Sequence, residues 1–302
     1  MQKLLYDFIE VIFLRPSEYG FTPRQYMVNR DFEFFHNIDD SLMEVEYHNH
    51  DFYEIYFFIS GKVTYIIEGK TYLLKPDDII LVNNKELHKP IIRLSEAYER
   101  IVIWVNPDFI SKQSTDGTNL SMCFDSSSKS KYNLIRPSTE LKESIMMIVE
   151  KLERVCTAVS YGSNVLKEIY MTELLIYLNK AYLNTHDEEI ENDIHYNEAV
   201  NNIVQYINEN LPGNLTLDIL ASKFYKSKYH LEREFKKSVG YTLHDYIQQK
   251  RLIMAKILLR GNIPVTEVYL RCGFGDYSNF IRSFKKSFGL PPKKYSKNYF
   301  DG

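Results

Sequence analysis

The chain has 302 residues, 44% hydrophobic and 14% aromatic, enough to bury more than one core, so two or three domains are expected. Its net charge of −3 conceals a split: residues 1–194 carry 20 Lys and Arg against 31 Asp and Glu (net −11), and residues 195–302 carry 17 against 9 (net +8), which directs any polyanion to the C-terminal third. Cys123, Cys156 and Cys272 are odd in number, far apart and outside any CxxC pair; this suggests neither a disulfide framework nor a zinc finger and suits a reducing cytoplasm.

Residues 1–20 hold a short apolar run broken by Asp7 and Glu10. No segment reaches the ~18 apolar residues of a membrane helix, so neither export nor insertion is expected. From Glu54 to Val82 the chain reads as short strands, Glu54–Ile59, Val63–Ile67, Thr71–Leu74 and Ile79–Val82, with turns at Gly61-Lys62, Gly69-Lys70 and Pro76-Asp77-Asp78. Closely spaced short strands indicate a β-sandwich or barrel.

A polar set flanks these strands: His48-Asn-His50, then Glu54, then His88. Residues two apart on a strand share a face, so His48, His50 and Glu54 can point inward together, with His88 brought in by a distant strand. Imidazoles and a carboxylate suit a divalent transition metal. They suit equally a network of mutual hydrogen bonds, or the wall of a metal-free ligand pocket. The arrangement resembles the HxHxxxE…G motif of the cupin fold, ending in Gly61, and its second motif, here Pro76-Asp77-Asp78 through His88, over about residues 30–110. Asp77, Asn83 and Lys85 stand where that second motif has glycine, proline and glycine. The resemblance implies a small-molecule pocket built on His48, His50, Glu54, Tyr56 and His88, with the two motifs' His48, His50, Glu54 and His88 as the ligand set for any metal; no cofactor is required for sensing. Tyr53, Tyr56, Tyr65, Tyr72 and Trp104 offer apolar rings for stacking.

Residues 111–131 are rich in Ser, Lys, Asp and Thr, including Ser126-Ser-Ser128, and read as a surface loop. Helices are expected over 136–186. There Leu141, Ile145, Ile148, Leu152 and Val155 repeat at 4-3-4-3 spacing, and Val165, Ile169 and Ile176 continue a second apolar face. The first seam either joins two subunits or covers the barrel of its own chain. Residues 187–194 are polar and acidic and read as the linker between a domain over 1–135, with its helical segment, and a domain over 195–302.

The last domain contains a repeat. Phe235-Lys-Lys-Ser-Val-Gly240 returns 49 residues later as Phe284-Lys-Lys-Ser-Phe-Gly289, and at the same offset Ser227 matches Asp276, Leu231 matches Phe280, Arg233 matches Arg282 and Tyr246 matches Tyr295. Ser227 and Asp276 are helix N-caps, with one face anchored by Leu231 and Phe235 and the other cationic. Shorter helices just upstream, Leu217–Phe224 and Val265–Cys272, complete two helix-turn-helix units. A helix over about 244–260 joins them as a rod of roughly 25 Å.

Leu220-Ala221, Ser227, Leu231, Phe235-Lys236-Lys237, Gly240, Gly273-Phe274, Phe284-Lys285-Lys286 and Pro291-Pro292, spread over about residues 196–299, resemble the AraC/XylS family of transcription regulators. The resemblance implies a multidomain α+β chain: an N-terminal cupin-like β-barrel, a helical middle segment, and a C-terminal all-α domain with two helix-turn-helix units. It implies base readers at Lys228, Tyr229, Glu232 and Arg233 and at Tyr277, Ser278, Asn279 and Arg282. Lys236, Lys237, Lys285, Lys286 and Lys293 fall to the phosphates, which position without specifying. Expected partners are double-stranded DNA, a small-molecule effector of carbohydrate class, RNA polymerase and a second copy of the chain in a cytoplasmic, non-enzymatic role. The alternative is a cupin-type metalloenzyme with a DNA-binding appendage. Tyr269 and Tyr225 depart from the small residues usual at their positions.

Overall fold

The computed structural model describes residues 26–40, 45–93, 97–125, 132–158 and 160–300. The apolar run at 1–20 and Ser126-Ser-Ser128 lie outside these residues.

Nine strands among them, β1 (Phe32–Asp39), β2 (Tyr53–Ser60), β3 (Lys62–Ile67), β4 (Lys70–Leu73), β5 (Ile79–Val82), β6 (His88–Arg93), β7 (Tyr98–Val105), β8 (Leu134–Ile135) and β9 (Ile194–His195), form two antiparallel sheets. One runs β1-β7-β2-β5-β8 and the other β6-β3-β4-β9. The alternation in β2 shows what holds them. Tyr56 and Phe58 join Tyr65, Ile67 and Tyr72 of the opposite sheet in one core, while Ile55 and Phe57 point the other way. Glu68-Gly69 closes the β3–β4 hairpin with both residues at positive φ, as a two-residue turn of matching twist requires. Asp77, standing where the cupin motif has glycine, also adopts a positive φ of 75°.

The outward apolar face of the first sheet is covered by helices α1 (Pro107–Gln113), α2 (Thr139–Thr157) and α3 (Ser163–Asn184). Ile145, Ile148 and Leu152 are buried there with Leu141 and Val155 packed beside them, so the 4-3-4-3 seam covers the chain's own sheet. The segment read as a loop over 111–131 is partly ordered. Asn106 caps α1 through the Asp108 N–H, and a 3-10 turn at Met122–Phe124 buries Cys123 and Phe124. Its polar composition masked three isolated apolar residues, Leu120, Cys123 and Phe124, that plug the core.

The acidic segment is likewise no free tether. It forms α4 (Asp187–Ile190) and a 3-10 turn, then pairs with β4 as strand β9. Ile190 and Ile194 enter the inter-sheet core, and Asp193 accepts from Lys75 and Arg136.

The C-terminal domain comprises α5 (Glu198–Glu209), α6 (Leu217–Lys223), α7 (Lys228–Val239), α8 (Leu243–Arg260), α9 (Val265–Arg271), α10 (Tyr277–Phe288) and α11 (Pro292–Phe300). The repeat is realised in detail. Ser227 accepts from the His230 N–H and Asp276 from the Asn279 N–H; Gly240 and Gly289 end their helices in the left-handed conformation. Phe235 packs on Tyr246 at 5.3 Å and Phe284 on Tyr295 at 5.5 Å, both edge-on. The turn of the second unit is one residue longer, and Gly273 lies so close to the Leu211 and Pro212 carbonyl oxygens that a Cβ would meet them at 2.7 and 2.9 Å. Tyr225 takes the equivalent left-handed position in the first unit, with its side chain in solvent, and Tyr269 packs edge-on against Tyr277 at 5.2 Å. Both tyrosines therefore fit without disturbing the units.

Candidate DNA interface and histidine pocket

In the recognition helices α7 and α10 the apolar positions Leu231, Phe235, Phe280 and Phe284 are buried, which turns the opposite faces to solvent. Lys228, Tyr229 and Arg233 are exposed on the first; Tyr277, Ser278, Asn279 and Arg282 on the second. Lys236, Lys237, Lys285, Lys286 and Lys293 are exposed beside them. The Arg233 guanidinium lies 5.7 Å from the Tyr229 ring centre, and Lys228 pairs with Asp218 of α6. Glu232 is half-buried, and its Oε1 accepts from the Leu243 N–H at 3.2 Å at the start of the connector helix α8. Between the units lies a cleft of about 810 Å³, floored by Leu243, Ile247, Gln248 and Arg251, which the sequence did not signal.

The three histidines converge at the other end of the chain. His48 and His88 exchange backbone hydrogen bonds of 3.0 Å, and their rings stand 4.3 Å apart; His50 is 4.8 Å from His88. Each Nδ1 faces a carbonyl oxygen: His48 that of Glu46 at 2.9 Å, His50 that of Phe52 at 2.8 Å, His88 that of Glu86 at 3.0 Å. A carbonyl only accepts, so every Nδ1 carries a proton, and in the neutral rings of His48 and His88 Nε2 presents a lone pair. The Nε2 atoms of His50 and His88 are buried with no hydrogen-bond partner. One ligand nitrogen from each of the three rings lies within 4.8 Å of the others. This donor set fits a divalent transition metal, with a backbone carbonyl behind each ring fixing its orientation as such sites require.

Glu54 is brought beside this group, not fully into it. Its Oε2 lies 3.4 Å from His50 Nε2, while Tyr65 Oη donates to Oε1 at 2.7 Å and Trp104 Nε1 to Oε2 at 3.1 Å. Burial alone would raise this carboxyl; His50, His88 and the Tyr65 hydroxyl outweigh it and keep the group ionised. Tyr56 shares a 2.5 Å hydrogen bond with Tyr98, and Arg100 of the same strand pairs with Asp39, extending the polar interior beyond what was anticipated. Alternation along β7 is the signal that would have found Tyr98 and Arg100. Tyr53 stacks on Phe124 at 4.5 Å on the helix-covered side and Tyr72 donates to Asn133, so neither ring lines the pocket.

Burial and the neighbouring imidazoles push His48 below the ordinary histidine value and His88 well below it. Above about pH 6.5 both are neutral in the folded and unfolded states. As pH falls through that value, the unfolded chain takes up protons that the pocket refuses, so stability drops by up to about 1.4 kcal/mol per pH unit for each group. His36 opposes this: partly buried, it is raised by Glu153 and Glu99 and stabilises toward acid. Urea titrations of chelator-treated protein at pH 7.5 and 5.5 should therefore show a smaller acid loss in His88→Asn than in the wild type.

The profile described as an AraC-like ligand binding domain matches residues 38–152, and that of a helix-turn-helix domain matches 220–298. The HTH-type transcriptional activator RhaS of Salmonella schwarzengrund is 25% identical over 251 residues, covering 82% of this chain and 85% of its own; that of Salmonella agona aligns equally. The solved C-terminal domain of the response regulator yesN from Fusobacterium nucleatum is 36% identical over 33% of this chain and 95% of its own, with a TM-score of 0.31. With a ligand-binding domain of AraC type and a duplicated helix-turn-helix matched along one chain, this protein belongs to the AraC/XylS family of DNA-binding transcription regulators.

Proposed function

We propose that the chain is a cytoplasmic, non-enzymatic regulator that reads an asymmetric operator with α7 and α10 while its barrel senses a polyhydroxylated small molecule. The observation that carries the DNA half is the repeat itself: two capped helices with buried Leu or Phe anchors and matching cationic outer faces. The polar interior supports the sensing half. Glu54, Tyr56, Tyr65, Tyr98 and the three histidines supply hydroxyl partners, and Trp104 supplies a ring. The Glu54 carboxylate, occupied by Tyr65 and Trp104, serves binding better than general-base chemistry. A divalent metal held by His48, His50 and His88 would anchor a hydroxyl-bearing effector; repeating the titration with Zn²⁺ in place of chelator would then raise stability at pH 7.5 and keep or steepen the acid loss, because the bound rings still refuse the protons that the unfolded chain takes up.

Selection of bound sequences from random DNA, with and without candidate sugars, tests the whole reading. On the selected duplex, Arg282→Ala should cost about 1–3 kcal/mol and relax preference at one base pair. Lys285→Ala should weaken all sequences alike and lower the salt slope by about one. Equal effects of both variants on selected and random DNA would refute this division of roles.

The homodimer forms, in this reading, through the outer face of α3. Val165, Ile169, Ile176 and Leu183 are exposed there although α3 already buries Met171, Leu174, Leu175 and Leu178 on its inner face. Ile169→Glu should convert a dimer to a monomer in sedimentation velocity; an unchanged mass would place the contact elsewhere.

A further inference from the structure

The barrel touches both helix-turn-helix units, and it does so at equivalent positions. Tyr246 and Tyr295 are the matched aromatics that pack on Phe235 and Phe284. Tyr246 donates to Glu68 of the β3–β4 turn, and Tyr295 donates to Asp51 at 3.1 Å. Cations of the connector helix α8 reinforce each acceptor. Lys250, 4% exposed, reaches Glu68 Oε1 at 2.9 Å and the Lys85 carbonyl at 2.6 Å; Arg260 pairs with the Asp51 carboxylate and donates to its carbonyl at 2.8 Å, with Lys256 Nζ 3.6 Å away. Glu68 holds the left-handed conformation that a hairpin tip would more cheaply give to asparagine or glycine. Its carboxylate also accepts from the Leu87 N–H at 2.7 Å, so this strained residue gathers three donors from two segments, α8 and the residue before β6.

The two anchor points straddle the histidine pocket. Asp51 follows His50 directly, and Leu87, which is buried in the core of the first helix-turn-helix unit, directly precedes His88. Tyr47, next to His48, packs on Tyr241 at 5.5 Å and lies against Gly240 so closely that a Cβ there would meet its ring at 2.4 Å. The distance between His50 and His88 is thus tied to the distance between the points that hold the second and first units.

We propose that the barrel is a two-point clamp on the DNA-binding domain: Asp51 fixes the second helix-turn-helix unit, Glu68 with Leu87 fixes the first, and the histidine pocket between them sets the separation of the recognition helices. The clamp rests on the reading of the barrel as the sensor, because only differential contact in the pocket lets an effector bias one arrangement over another.

The test uses the full chain without DNA. Spin labels at Lys237→Cys and Lys286→Cys, equivalent exposed positions on α7 and α10, report the distance between the helices in a Cys156→Ser background. The parent should give one narrow distance distribution. Asp51→Asn with Glu68→Gln should broaden or split it, and the reciprocal pair Lys250→Met with Arg260→Gln should do the same while circular dichroism shows both proteins folded. A distribution unchanged in both folded double variants overturns the clamp. Failure to select any DNA sequence would instead sink the regulator reading, and the label distances judge the clamp independently of it.

Discussion

Replacing Phe284 with alanine is expected to destabilise the second helix-turn-helix unit by about 3–5 kcal/mol, the usual cost of emptying a fully buried aromatic site. The ring has no exposed surface and contacts Phe280 at 5.8 Å, Phe288 at 4.7 Å and Tyr295 at 5.5 Å, so its removal strips the centre of an aromatic cluster. Small residues that could collapse into the gap are few in that core, which otherwise holds Leu252, Ala255, Leu259, Val268, Cys272 and Phe274. Phe235→Ala should cost a similar amount in the first unit, where one ring, Tyr246, closes over it. Urea unfolding followed by far-ultraviolet circular dichroism measures both. Each variant should also lose contact with one half of the selected operator while keeping the other, seen as protection of a single half-site in footprinting. A loss below about 1 kcal/mol for Phe284→Ala would mean that α10 is anchored by something other than this ring.

What the sequence revealed and what it hid divide along a physical line. Caps, anchors and the connector are local: Ser227, Asp276 and the Phe235/Phe284 pair announce themselves within a few residues, and the connector begins at Leu243, one residue before the position read from the pattern. The histidine pocket was legible from motif spacing and not from strand alternation, since His48 and His50 lie in the irregular segment before β2, where a single bridge joins His48 to His88. The clamp was not. Asp51, Glu68, Lys250, Lys256 and Arg260 look like ordinary surface charges, and their partners in the other domain lie 165 to 244 residues away along the chain. Nothing local distinguishes a lysine that ends buried against the other domain from one in solvent. The Glu232 contact was hidden too: the chain turns after Gly240 and delivers the Leu243 N–H to its carboxylate, a meeting that helix position does not foretell. Strand β9 was concealed because two residues are too few to show alternation, so the acidic composition of 187–194 dominated.

That concealed strap carries the second large effect. Arg136→Met is expected to cost about 3 kcal/mol or more, because it leaves a buried carboxylate without its counter-charge. Asp78, 1% exposed, receives Arg136 Nε at 2.8 Å and Nη2 at 2.9 Å in a fork that methionine cannot replace; the Lys75 N–H also donates to it at 2.8 Å. The third arm, Nη1, reaches Asp193 at 2.9 Å, where Lys75 also pairs, so the same guanidinium fastens the segment that becomes β9. Bonding to Asp78 and then Asp193 raises Arg136 further above its already high value, and Asp193 is lowered, since the pairing with Lys75 and Arg136 exceeds its desolvation. Asp78→Asn combined with Arg136→Met should recover part of the loss, because the orphaned charge goes with its partner; simple additivity of the two single costs would argue against a coupled pair. Beyond stability, leaving Asp193 to Lys75 alone should loosen Ile194–His195 on β4, detectable as faster amide exchange at Thr71 and Tyr72, their partners in the ladder. The DNA-binding domain would then depend more heavily on the clamp contacts for its seat on the barrel, so Arg136→Met should also make the label distance between α7 and α10 more sensitive to Asp51→Asn than it is in the parent chain.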